Sequence, residues 1–382
     1  MGSCACKQSP YRSDVLAITK AVTGNDGYRL STVPVKTASS KRVPTDYSPR
    51  EKNQDSIPVV AGELTASLRI EGVPSKRKQP AFAEKEHNVA CSQFSEHELG
   101  RVTLASLSPI GIGITCRRGL KENTPNQDDY GVVLHPDYRL FAVFDGHGHQ
   151  GEKTAHFAKT EMLSQVLARR QAEYAFPQVF EQVQAAFQQA QHSLHCQHSG
   201  TTATLALIKE GELYVAHVGD SRAIVGVQHG GQCVPLRLTT DHKPNLPAEE
   251  ERIRRRGGEV RRLSDDIPYR VFEPNEPGPA LAVSRALGDL AAQEVGVVAE
   301  PEVQHFHLHD EAEHLVICSD GVWQFMSDYE VVQLAHQYGN KCKLAAEKIF
   351  EVAKQRWLQH EAEVVDDITV VVVYLPWQLQ TA

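Results

Sequence analysis

Two segments of this 382-residue chain share one build, an apolar run that drives straight into Asp-Gly. Phe141-Ala142-Val143-Phe144-Asp145-Gly146-His147-Gly148 is the first, and Leu315-Val316-Ile317-Cys318-Ser319-Asp320-Gly321 is the second. Acidic pairs also stand just before two further strand-like runs, Asp128-Asp129 before 131–134 and Asp366-Asp367 before 368–375. A run of β-formers closed by a turn former reads as a buried strand and its exit. Any single Asp-Gly is explained by turn formation alone. Four acid-tipped strands constrain the fold more, because their carboxylates can converge at one sheet edge or between two sheets. Such a cluster repels itself unless cations sit between the charges. Hard oxygen donors without Cys or clustered His select Mg2+ or Mn2+ over zinc or copper.

Around these segments, 110–116, 139–144, 202–208, 212–218, 223–227 and 314–318 also read as strands. Helical spacing marks 152–170, 180–194, 328–336 and 343–359, and a charged helix over 248–256 stops at Gly257-Gly258. Strands and helices without a regular βαβ alternation point to an α+β sandwich rather than a doubly wound sheet.

Residues 1–105 differ in texture. They are rich in Ser, Thr, Pro, Lys and Gln, with clusters such as Ser39-Ser40-Lys41-Arg42 and Ser75-Lys76-Arg77-Lys78. The expectation is a flexible leader with no core of its own. A small accessory fold around 61–70 is the competing reading. The net charge of −8 divides along the same line, since residues 1–101 carry 15 Lys+Arg against 11 Asp+Glu. The acidic remainder speaks against nucleic acid as a partner. Eight cysteines, at 4, 6, 91, 116, 196, 233, 318 and 342, form no CxxC pair. With no long apolar run either, disulfide scaffolds, zinc modules and membrane spans are set aside. An intracellular chain with mostly reduced thiols is expected.

Longer motifs surround the acids. Asn126-Gln127-Asp128, Asp145-Gly146-His147-Gly148, Ser199-Gly200-Thr201-Thr202-Ala203 and Gly219-Asp220-Ser221-Arg222 come first. Asp241-His242-Lys243-Pro244, Ser284-Arg285-Ala286-Leu287-Gly288-Asp289, Ser319-Asp320-Gly321-Val322-Trp323 and Asp366-Asp367-Ile368-Thr369 follow. In this order, over about 110–375, the chain resembles the metal-dependent protein phosphatases of the type-2C (PPM) family. The resemblance implies a four-layer αββα sandwich, two antiparallel sheets with a dinuclear metal site between them, over residues 106–378. A flap is implied at about 242–283.

The same resemblance implies hydrolysis of phosphoserine and phosphothreonine in proteins by direct attack of a metal-activated water, with two Mn2+ or Mg2+ per site. Asp145 is implied to bridge both ions and the Gly146 carbonyl to complete one shell. Asp320 and Asp366 are implied to ligate the second ion, and Asp128 to act through coordinated waters. His147 is the implied general acid, or else a structural hydrogen-bond partner. Asp220 belongs to a weaker third site in family members, but the acid that completes it is replaced here by Gln324, which leaves that site doubtful. Gln127 stands where many members have Glu. Arg117, Arg118 and Lys121 are the candidates for gripping phosphate.

The flap is basic, with Arg252, Arg254, Arg255, Arg256, Arg261 and Arg262; these either attract acidic phosphopeptides or pair with Glu249, Glu250 and Glu251. His305, His307 and His309 alternate and read as exposed edge residues. A rival of another class is a catalytically weak pseudophosphatase, a phosphoprotein-binding or scaffold module. The intact set Asp128, Asp145, Asp320 and Asp366 speaks against it. A hydrolase of small phosphate esters is a weaker third.

The start, Met1-Gly2-Ser3-Cys4-Ala5-Cys6-Lys7, carries the Gly2 that N-myristoylation uses, with Cys6 where Ser or Thr is usual. Cys4 and Cys6 are placed for palmitoylation. One acyl chain holds a membrane only marginally, so a second chain or a basic segment is needed. Residues 1–52 add nine Lys+Arg against four Asp+Glu. The expectation is a monomer anchored at the cytoplasmic face of a membrane, otherwise cytoplasmic.

Overall fold

The structure, a computed structural model, describes residues 68–74, 80–91, 104–121, 124–169, 171–264, 267–275, 279–361 and 363–376. One sheet contains, in spatial order, β15 (Glu302–His307), β8 (Glu212–Val218), β7 (Ala203–Lys209), β5 (Arg139–His147), β4 (Asp128–Leu134), β1 (Leu68–Gly72) and β2 (His87–Cys91). Two-residue strands β6 (Gly200–Thr201) and β14 (Leu287–Gly288) extend from β5. The second sheet is β10 (Gln232–Arg237), β9 (Arg222–His229), β16 (Ala312–Cys318), β17 (Ile368–Tyr374) and β3 (Ile112–Arg117). Pairing within both sheets is antiparallel.

The central strands are apolar on both faces because each face meets a different core. In β5, Phe141 and Val143 enter the core between the sheets, while Leu140, Ala142 and Phe144 enter the core under the helices. β16 divides likewise, with Leu315 and Ile317 on the inner side and Val316 and Cys318 on the outer. Helices α1 (Gly151–Leu167) and α2 (Phe176–Gln189) cover the first sheet through Ala155, Met162, Phe180 and Phe187. Beyond α3 (Pro247–Arg255), α4 (Asp328–Tyr338) and α5 (Cys342–His360) cover the second through Val331, Ile349 and Phe350. The layers are helix, sheet, sheet, helix.

One expectation is corrected. Residues 1–105 are not all leader, since β1 pairs with β4, placing Ile70 opposite Val132. Leu68 and Ile70 are buried in the core between the sheets. The alternation Leu68-Arg69-Ile70 is too short to stand out in polar sequence; its burial comes from the partner strand. The folded unit therefore reaches back to at least Leu68. Gly2, Cys4 and Cys6 lie outside the described residues. Among the described residues no helix is long and apolar enough to cross a membrane.

The expected flap is a small unit with its own core. α3 packs with β11 (Glu259–Arg261), β12 (Arg270–Phe272) and β13 (Pro279–Leu281), joining Ile253, Val260, Val271 and Val283. Its arginines are largely paired, Arg252 with Glu249, Arg254 with Glu250 and Arg255 with Glu251. The buried Glu249 also takes Arg285 at 2.7 Å and the Ser284 hydroxyl at 2.6 Å, tying the flap helix to the segment behind it. Burial pushes its carboxyl up, but Arg285, Arg252 and Ser284 outweigh that and hold it at about 2. A depressed native pKa contributes stability above the unfolded value, lost as pH falls toward the native one. Glu249→Gln is expected to destabilise the chain by about 3 kcal/mol at neutral pH. The difference should shrink as pH falls from about 4.5 toward 2 in a urea-melt series; a gap constant with pH would refute it.

Of the alternating histidines expected to be exposed edge residues only His307 is exposed; His305 and His309 are half-buried, His305 stacked on Tyr214. β15 is an edge strand, and His305 and His307 both bond Glu212 across it, at 2.6 and 2.7 Å.

Candidate metal centre

Strand register brings the acids together. Asp128 and Asp145 face each other directly across the β4–β5 ladder. Asp320 follows the end of β16, and Asp366 precedes the start of the adjacent antiparallel strand β17. One pair of ends belongs to each sheet, so the four carboxylates meet where the sheets face each other. Carboxylate oxygens of Asp145, Asp220 and Asp320 lie within 4.8 Å of one another. Burial, and then Asp128, Asp320, Asp366 and Asp220, push the Asp145 carboxyl well above its ordinary value. Burial and Asp367 raise Asp128 to about 8, against hydroxyl bonds from Ser319 and Thr369, each 2.7 Å to Oδ2. Asp320 is raised to about 7 by burial, then Asp220 and Asp366.

An all-oxygen cluster that acidic, buried and crowded is the donor set of a hard divalent cation. Protein cations meet its rim, where Lys121 pairs with Asp366 and Lys243 with Asp220. The residues present fit a Mg2+ or Mn2+ centre.

The neighbouring acid of each pair has a different task. Asp129, one residue on and therefore on the other strand face, bonds Lys159 of α1 at 3.0 Å and His156 at 3.3 Å. Asp367 accepts backbone N–H bonds from Gly119 at 2.7 Å and Gln127 at 2.8 Å, fixing the loop before β4. Lys85, in the stretch expected to be leader, is buried and donates to the Asp128 carbonyl. Gln127 ties down a turn, its amide donating to the Gly148 carbonyl at 2.7 Å. Gly146 has no room for a side chain, since a Cβ would run into the Gly151 carbonyl oxygen. Gly148 has φ +79°, the left-handed conformation that glycine takes without strain.

His147 acquires a partner that sequence reading missed. Its Nε2 lies 2.5 Å from Asp289 Oδ2, with Asp289 nearly fully buried. The short strand β6 sets this distance, since Gly200 pairs with His147 on one side and with Gly288 on the other. A Cβ at Gly200 would collide with the Asp289 carboxylate. Burial lowers the His147 pKa, but Asp289 outweighs it, and the ring titrates above its ordinary value. The closing Asp of Ser284–Asp289 was visible in the sequence, but nothing local tied it to a histidine 142 residues away.

The phosphate-gripping candidates separate. Arg117 pairs with Glu84 and Glu347 and lies over the Phe350 ring of α5, and Arg118 bonds the carbonyls of Thr124, Gly119 and Lys121. Both are structural, a correction to the expectation; Lys121 alone stays beside the cluster. Arg222 bonds Asp241 at 2.8 Å and also pairs with Asp328, bracing the flap's base against α4. Gln324, exposed, begins the chain after the helical turn Asp320–Trp323 and offers only a neutral amide.

The family model "Protein phosphatase 2C" matches residues 123–361. "Probable protein phosphatase 2C 72" of Arabidopsis thaliana is 32% identical over 271 residues, 65% of this chain and 81% of that protein. "Probable protein phosphatase 2C 61" of the same plant is 33% identical over 297 residues, 74% of this chain and 87% of that one. Among solved structures, the serine-threonine phosphatase 2C of Toxoplasma gondii superposes with a TM-score of 0.61 at 22% identity, over 69% of this chain and 94% of that one. The fold agrees with the sandwich derived above. With its acid-tipped strands and motif order, the chain belongs to the protein phosphatase 2C family of metal-dependent serine/threonine phosphatases.

Proposed function

We propose that the chain removes phosphate from phosphoserine and phosphothreonine of proteins by direct attack of water on phosphorus, with no covalent phosphoenzyme. The observation that carries this is the convergence of Asp145, Asp220 and Asp320 within 4.8 Å, next to the His147–Asp289 pair. Asp128, Asp145, Asp320, Asp366 and the Gly146 carbonyl would hold the two divalent cations. When bound, those cations supply Lewis acidity, lowering the pKa of a water and screening charge on the phosphoryl oxygens. Asp289 holds the His147 ring in its protonated form, positioned to give a proton to the departing seryl or threonyl oxygen. Lys121 and Lys243, at the rim, offer ammonium groups to a phosphate dianion.

A pseudophosphatase is disfavoured by cost. A pure binding module gains nothing from retaining a buried cluster whose members repel one another. The test is turnover of a phosphothreonine peptide by the purified full chain. Release of inorganic phosphate is expected with Mn2+ or Mg2+ and its loss with EDTA. Metal-independent turnover, or none in either metal, would overturn the reading.

We also propose that the chain is held at a membrane by acylation of Gly2 together with Cys4 or Cys6. The support is the Gly2 motif, the two adjacent cysteines and the basic excess of residues 1–52. Gly2→Ala is expected to move most of the protein from the membrane pellet to the supernatant of fractionated cells. An unchanged pellet fraction would sink the idea.

A further inference from the structure

A second group of ligand-type side chains stands at the opposite end of β16 from Asp320, about 20 Å along the strand. Cys233 Sγ, a Glu313 carboxylate oxygen and a His336 ring nitrogen lie within 4.8 Å of one another. Three elements supply them, β10, β16 and α4. The Glu313 position is built by an irregularity. The β16–β9 register slips between Ala312 and His314, leaving Glu313 as the extra residue. A bulge re-aims side chains in this way. His336 Nδ1 then lies 2.7 Å from Glu313 Oε2, and the Gln228 amide Nε2 reaches both, 2.5 Å from that oxygen and 3.2 Å from Nδ1, so a metal here would displace the Gln228 amide.

His314 is the independent observation. It is buried, and its Nε2 donates to the Gly339 carbonyl at 2.9 Å. That bond fixes the tautomer and leaves a lone pair on Nδ1, which has no hydrogen-bond partner and lies 3.7 Å from Glu313 Oε1. A ring N–H held by a backbone carbonyl, with the other nitrogen bare, is how proteins orient a metal-binding histidine. Gly226, opposite His314 in the ladder, keeps the space open, since a Cβ there would stand 3.0 Å from Cys233 Sγ.

The other buried histidine group differs. In the set His217, His242 and Glu302, the Gly219 N–H donates to His242 Nδ1, which puts the proton on Nε2 and removes that nitrogen as a ligand.

We propose that Cys233, Glu313 and His336 form a structural Zn2+ site that ties α4 to the outer face of the second sheet, with the bare Nδ1 of His314 standing beside its carboxylate. One thiolate, one imidazole and one carboxylate, with water to complete the shell, suit Zn2+ and not the hard cations of the catalytic centre. Binding breaks the Cys233 S–H bond, forms a Zn–S bond and releases one proton to solvent, with no change of oxidation state.

The probe is Co2+ titrated into metal-free full-length protein. A thiolate-to-cobalt charge-transfer band with intense visible bands is expected, displaced by Zn2+ and not by Mg2+. The catalytic cluster, with oxygen donors only, gives no such band. Cys233→Ser should abolish it, and the double variant Cys4→Ser/Cys6→Ser should keep it. His336 is 41% exposed, so His336→Ala will fold; it should weaken Zn2+ binding on the order of 100-fold and leave Mn2+-supported turnover unchanged. Zn2+ should raise the melting temperature of the parent and not of His336→Ala. No band in the parent, or a band that survives Cys233→Ser, would show a hydrogen-bonded cluster without a metal.

Discussion

Asp145→Asn should lower kcat/KM on a phosphothreonine peptide by roughly 10^3-fold or more, while leaving the metal-free fold at least as stable as the parent. The two signs come from one cause. Asp145 faces Asp128 across the ladder and shares its space with Asp220 and Asp320. Losing its charge removes the hard anionic donor at the centre of the cluster, and several kcal/mol of transition-state stabilisation go with it. In EDTA the same change removes a repelling charge, so the melting temperature should hold or rise, as expected where function keeps a strained cluster. Phosphate release and a melt in EDTA check both signs. Unchanged turnover would remove Asp145 from the centre; a collapsed melt would make it a fold residue.

The acid-tipped strands were legible because burial on both faces writes a continuous apolar run, and a run that ends in Asp is hard to miss. Residue patterning alone left open which Asp of each pair works, and only the resemblance chose Asp128 and Asp366. Register and loop geometry supply the physical reason, sending Asp129 to Lys159 and Asp367 to the backbone of Gly119 and Gln127. β1 was hidden because three alternating residues carry little periodicity and their burial is the gift of β4. Lys85 and Asp289 were hidden for a topological reason. Each contributes through a partner far away in sequence, across strands whose pairing no local window contains. The cysteine-histidine group shows the same limit. Its donors come from two strands and a helix, so zinc-finger spacing is absent although ligand chemistry is present.

His147→Gln separates proton transfer from simple architecture. The seryl or threonyl oxygen is a poor leaving group, so a positioned acid contributes roughly 10^2- to 10^4-fold. His147 is 27% exposed and fixed by Asp289 at 2.5 Å, which leaves the ring held yet reachable. On a phosphothreonine peptide, kcat is expected to fall by about 10^2-fold or more. On 4-nitrophenyl phosphate, whose leaving group departs without a proton, the loss should stay within about 10-fold. Asp289→Asn should show the same substrate asymmetry with a smaller loss, since Asp289 acts only by positioning and charging the ring. Equal losses on both substrates would mean that His147 organises the turn after Asp145 and donates no proton. A loss confined to the peptide would instead assign the proton to Nδ1, the ring nitrogen that Asp289 does not occupy.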